Sequence, residues 1–213
     1  MGDPGLFQSF LNSFRRRRMA LLEKTLGISS GTRVLDVGGS TQIWELCNVR
    51  PELTILNFPT ALARGSYSAQ FVAGDGCRLP FKDAAFDLVF SNSVIEHVGG
   101  SSNQRRFAEE IARVGRAYWV QTPNRGFPFE HHMMLPFVHQ LPKSWQRAIV
   151  GRVTGWELIV RPSSEVRSYY VDHFLNELKL LNSSELAALF PGAKILSERA
   201  LGVPKSLIAF RAP

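Results

Sequence analysis

The chain has 213 residues, 45% of them hydrophobic and 20% charged, values that fit a folded domain with a full core and exclude a disordered chain. No apolar run nears the roughly 18 residues of a membrane span, and the first segment lacks a signal peptide's order of basic, apolar and small regions, so a cytoplasmic location is expected. The formal net charge is +7, of which Arg15, Arg16, Arg17 and Arg18 supply four.

That arginine run reads first as a solvated helix face, with contact to a membrane surface, a lipid or RNA as the alternatives. Cys47 and Cys77 are the two cysteines and support neither a disulfide framework nor a cysteine metal site.

Residues 6–26 place Phe7, Phe10, Leu11, Phe14, Leu21 and Leu22 at helical spacing, which predicts an amphipathic helix ended near Gly27. An alternation follows: strand 33–37, helix 41–48, strand 53–57, strand 70–73 and strand 86–91. Residues 101–115 read as a helix with Phe107, Ile111 and Val114 facing inward, and 116–123 as a fifth strand stopped by Pro123. Strands alternating with helices predict a parallel sheet covered on both faces.

Residues 124–175 break this rhythm with four prolines, many aromatics and four of the five histidines, and read as an insertion within a single 1–213 domain. Asn182 and Glu185 then have the spacing of a capping box. Two last strands, 194–200 and 206–211, are too closely joined for a parallel crossover and are expected to pair antiparallel.

In an open parallel sheet, ligands bind beyond the carboxyl ends of the strands. Polar residues gather there: Asp36-Val-Gly38-Gly39-Ser40-Thr after the first strand, Asn57 after the second, Asp75-Gly76 after the third, Ser91-Asn92 at the fourth and Thr122-Pro-Asn124 at the fifth. One glycine turn is weak evidence, whereas five successive polar strand ends point to a ligand site.

With "RVLDVGGST", "FVAGDGCRLPFKDAAFDLVFSNSVIEHV" and "FPGAKILSERALGVPKSLIAFR", the chain resembles the class I S-adenosylmethionine-dependent methyltransferases of the small-molecule type. The resemblance covers about residues 30–125 and 182–211. It implies a Rossmann-like α/β three-layer sandwich with a seven-stranded, mostly parallel sheet of order 3-2-1-4-5-7-6, strand 7 antiparallel.

It also implies S-adenosyl-L-methionine as cofactor. Asp36, Gly38, Gly39 and Ser40 would serve its amino-acid portion, with the helix start after Ser40 favouring its carboxylate. Asn57 would stand at the ribose, Asp75, Gly76 and Leu79 at the adenine, and Ser91 and Asn92 near the sulfonium. The chain departs from the family where Ser40 and Gln42 replace glycines and Asn57 replaces an acid that grips both ribose hydroxyls.

An oxygen or nitrogen acceptor of high pKa needs a base. Glu130, His131 and His132, with His139 nearby, follow the fifth strand and are expected either to shape an acceptor pocket, to supply that base or to hold a metal. His132 or His131, oriented by Glu130, is the expected base, while His97 reads as a capping or packing residue. The expected activity is methyl transfer to a small-molecule or lipid-like acceptor. The alternatives are a non-catalytic regulatory relative and an RNA methyltransferase, although no RNA-binding motif is present.

Overall fold

The computed structural model describes residues 4–59, 68–130, 135–150 and 162–213. Helix α1 (Pro4–Leu26) ends where Gly27 takes φ 62, the left-handed conformation that stops a helix. The alternating region forms β1 (Arg33–Val37), α2 (Thr41–Trp44), β2 (Glu52–Asn57), β3 (Gln70–Ala73) and β4 (Phe86–Asn92). It continues with a 3-10 turn over Ile95–His97, α3 (Ser101–Val114) and β5 (Gly115–Pro123).

The segment after β5 is built from a two-residue ladder, β6 (Phe129–Glu130) and β7 (Leu135–Pro136), then α4 (Lys143–Val150) and α5 (Ser164–Asn176). Val138, Val150, Phe174 and Leu175 form a small core of their own there. The chain then returns to the sheet through α6 (Ser183–Leu189), β8 (Lys194–Ala200) and β9 (Val203–Arg211).

The sheet order is β3-β2-β1-β4-β5-β9-β8. The first five strands pair in parallel, and β9 runs antiparallel to both β5 and β8. This is the expected 3-2-1-4-5-7-6 order with its reversed strand. Both faces are covered at the centre, which explains why β1, β2, β4 and β5 are mostly apolar rather than strictly alternating.

Strand alternation sorts the side chains. Leu35, Val37, Val89, Tyr118 and Val120 pack with Phe107, Ile111 and Val114 of α3 and with Leu186 of α6. Val34, Leu88, Phe90, Ala117 and Trp119 pack with Met19 and Leu22 of α1 and Trp44 of α2. The capping box of α6 forms as expected, Asn182 accepting from the Glu185 N–H and Glu185 from the Asn182 N–H.

Three local expectations are corrected. Helix α2 is a single turn of four residues, not 41–48. On α1, Leu21 is exposed whereas Arg18, Met19 and Leu22 are buried, so the inward stripe begins inside the basic run. The closing turn is also tighter than a Gly-Val-Pro loop, because β9 starts at Val203, which pairs directly with Ala200.

The two loop residues of that hairpin, Leu201 and Gly202, have φ 49 and 80. Two positive φ values in succession define the primed turn that matches strand twist, and asparagine tolerates its first position better than leucine. Leu201 is fully exposed. A Leu201→Asn variant is therefore expected to gain about 0.5 kcal/mol and roughly 1–2 °C in thermal melting, read by circular dichroism.

Candidate functional site

Two joined clefts open at the carboxyl ends of the parallel strands. The first, about 590 Å³, lies on the α1 side and is lined by Asn12, Arg15, Asp36, Gly39, Ser40 and Asn92 among others. The second, about 700 Å³, lies on the α3 side and is lined by Asp75, Gly76, Arg78, His97, Arg106 and Glu177 among others. Gly38 and Asn57 border both, so the pair forms one elongated site bent over the end of β1. Volumes of this size suit a small organic ligand.

Asp36 anchors the first cleft. It is fully buried, its Oδ2 accepts the Trp44 indole N–H at 2.8 Å, and its Oδ1 has no hydrogen-bond partner. Burial pushes the carboxyl up to about 7, against the lowering effect of the Trp44 bond. A desolvated carboxylate of this kind favours a cation that reaches it. The Gly39 backbone lies against the group so closely that a Cβ there would sit 1.9 Å from Oδ2. Only glycine fits.

Ser40 enters α2 with φ −145 and no side-chain capping bond, so the extended backbone accepts serine without strain. Asn57 has a structural occupation. Its Nδ2 donates to the Gly39 carbonyl at 3.1 Å, and its Oδ1 accepts the Phe58 N–H at 2.9 Å. A carboxylate could not make the first bond, which gives asparagine a physical reason at this position.

Asp75 Oδ1 accepts the Cys77 N–H at 2.8 Å, forming a turn at the cleft wall. Gly76 is required by packing rather than by ligand passage, since a Cβ would meet Phe107 at 2.6 Å. Two expected cofactor residues lie elsewhere. Leu79 is 4% exposed in the core beside α3, and its N–H donates to Glu110. Ser91 is fully buried, its hydroxyl donating to the Val37 carbonyl at 3.0 Å. Alternation turns Ser91 to the α3 face and leaves Asn92 in the first cleft.

Several site residues escaped the sequence reading. Arg18 is buried beneath α1. Its guanidinium donates to both Glu198 oxygens, at 2.7 and 2.5 Å, to Gln121 at 3.0 Å and to Asn92. Lys205 lies 4.2 Å over the Phe14 ring. These contacts fasten α1 over the strand ends and divide the basic run, leaving Arg15, Arg16 and Arg17 exposed.

In the second cleft, His97 Nδ1 lies 2.9 Å from His173 Nε2, and His173 Nδ1 lies 2.5 Å from Glu177 Oε2. A carboxylate can only accept, so with neutral rings His173 donates from Nδ1 to Glu177 and its Nε2 accepts from the His97 Nδ1–H. The second nitrogen of His97 is Nε2. It stands 4.0 Å from Glu96 Oε1. The signal for the outer pair was the i,i+4 spacing of His173 and Glu177. His131 and His132 lie outside the described residues, as does the side chain of Glu130, whose backbone belongs to β6. His139 Nε2 meets the Arg125 carbonyl at 2.9 Å, away from both clefts.

A mostly parallel seven-stranded sheet with a reversed β9, carrying its site at the strand ends, is the class I methyltransferase fold. The methyltransferase-domain family model matches residues 30–117, the part of the chain that carries β1 to β4, α3 and the start of β5. No curated protein matches the chain.

Among solved structures, the PH0226 protein of Pyrococcus horikoshii OT3 is similar at TM-score 0.59 and 13% identity, over 97% of this chain and 91% of its own. Haemonchus contortus phosphoethanolamine N-methyltransferase 2, solved with S-adenosyl-L-methionine, is similar at 0.51 and 14%, over 85% of this chain and 38% of its own. The [4+2]-cyclase SpnF is similar at 0.53 and 17%, over 85% and 57%.

The buried acid predicts a stability effect. A carboxyl whose folded-state pKa is raised keeps its proton where the unfolded chain has lost it. Its stabilising contribution is therefore largest at acid pH and is lost as pH rises towards about 7. Asp36→Asn is expected to raise the ligand-free unfolding free energy at pH 8 by on the order of 2 kcal/mol and to change it much less at pH 4, measured by urea denaturation.

Proposed function

We propose that the chain methylates a small-molecule or lipid-like acceptor, with S-adenosyl-L-methionine laid along the two joined clefts. One observation carries the cofactor placement: a fully buried carboxylate oxygen without a partner at the end of β1, beside the glycine turn. That oxygen fits the ammonium of the cofactor's amino-acid portion. Gly38 and Asn57 lie at the junction, where the ribose is expected, and Asp75 with Arg78 borders the base end.

Bound S-adenosylmethionine supplies an electrophilic methyl group on a sulfonium. The residues of this chain hold the partners in place and keep water out. Arg18 fixes Asn92 and Gln121 at the ends of β4 and β5, which fits a preorganised wall for the reacting centre.

His97, backed by His173 and Glu177, lines the second cleft together with Asp75 and Arg78. Glu130, His131 and His132 remain the proposed shapers of the acceptor end from the segment after β5. The division of the arginine run between a buried anchor, a cleft residue and two outward side chains argues against RNA or membrane contact as its main purpose.

Thermal shift tests the reading. At about 100 times its Kd, a ligand stabilises by roughly 2.7 kcal/mol. S-adenosylmethionine and S-adenosylhomocysteine are expected to raise the melting temperature by several degrees, and nicotinamide dinucleotides to leave it unchanged. No shift with either sulfur ligand would sink the proposal.

A further inference from the structure

We propose that Arg15 of α1 binds the carboxylate of the cofactor's amino-acid end, so that a helix outside the matched domain completes recognition of an α-amino acid. The inference rests on the cofactor placement above and deepens it. Asp36 offers an anion to the ammonium, and the carboxylate beside that ammonium needs a donor of opposite charge.

The helix start after Ser40 does not supply it, because α2 is one turn of four residues and lacks the aligned peptide units that give a helix N-terminus its charge. Among the described residues lining the first cleft, Arg15 is the one cation, and Asp36 and Glu45 are the acids.

The position of Arg15 follows from how α1 is fastened. Asn12, Arg15, Arg18, Met19 and Leu22 recur three or four residues apart and share one helix face. Met19 and Leu22 are fully buried, and Arg18 is tied to β8, β4 and β5 through Glu198, Asn92 and Gln121. One turn earlier the same face passes over the cleft rather than the core, so Arg15 and Asn12 become cleft walls. The Arg15 Nη1 donates to Asn12 Oδ1 at 3.3 Å, a long bond to a neutral acceptor. A guanidinium carries five donors in a fork matched to a carboxylate. Asn12 thus holds the fork at the cleft edge while leaving donors for the ligand.

Calorimetry with two ligands tests this. S-adenosylhomocysteine carries the amino-acid end, and 5′-methylthioadenosine lacks it. Arg15→Leu is expected to weaken S-adenosylhomocysteine about 10-fold or more and to leave 5′-methylthioadenosine within about 2-fold. Arg15→Lys should recover part of the loss, and Arg17→Leu, on the outward face, should change neither ligand. Unchanged S-adenosylhomocysteine binding in Arg15→Leu overturns the inference alone, as does an equal loss for both ligands. Failure of the unaltered protein to bind S-adenosylhomocysteine overturns it together with the cofactor placement.

Discussion

A carboxyl group held away from water with one hydrogen-bond donor is costly to ionise, and Asp36 is in that condition at the end of β1. The Trp44 indole satisfies one oxygen, and the Gly39 backbone closes over the group with no room for a side chain. The neighbouring structure depends on this arrangement. Asn57 braces the Gly39 carbonyl, Trp44 packs edge-on against Phe90 at 5.0 Å, and α1 covers the same face with Met19 and Leu22. The folded chain accepts a poorly satisfied acid where a ligand cation would satisfy it, the pattern expected when stability is given up at a functional site.

The two clefts divide the work by charge. On the α1 side two acids, Asp36 and Glu45, and Arg15 line one cavity. On the α3 side an imidazole is backed by a second imidazole and a carboxylate, with Arg78 and Arg106 on the walls. Arg18 links these to the frame, since its partners come from β4, β5 and β8. Burying the Arg18–Glu198 pair, at 6% and 13% side-chain exposure, yields little net stability. It does fix where α1 crosses the strand ends.

Much of this was legible in the sequence. The central strands were visible because both faces of the sheet are buried there, so β1, β2, β4 and β5 are mostly apolar along their length. The α6 capping box and the reversed β9 follow from local spacing and loop length. Side-chain direction was harder to read. The motif around Ser91 and Leu79 identified the right segments, but a one-residue alternation sends Ser91 and Asn92 to opposite faces, and Leu79 turns into the α3 core.

Long-range partners were illegible. His97 and His173 lie 76 residues apart, and Arg18 lies 180 residues from Glu198. No local pattern joins either pair. The arginine run misled for the same reason: composition shows four charges in a row, while helical spacing buries Arg18, sets Arg15 on the first cleft and leaves Arg16 and Arg17 exposed.

The central claim is that Asp36 waits as an ionisable acid for the cofactor's cation. Its most direct test is the calorimetric affinity for S-adenosylhomocysteine between pH 6 and 8, in the unaltered chain and in Asp36→Asn. Burial pushes the Asp36 carboxyl up to about 7, and it has to lose its proton to receive the ammonium as a carboxylate. Affinity is therefore predicted to rise about 10-fold over that interval and to level off above it, with a flat profile in the variant. A pH-independent affinity in the unaltered chain, or the same rise in both proteins, would contradict the account.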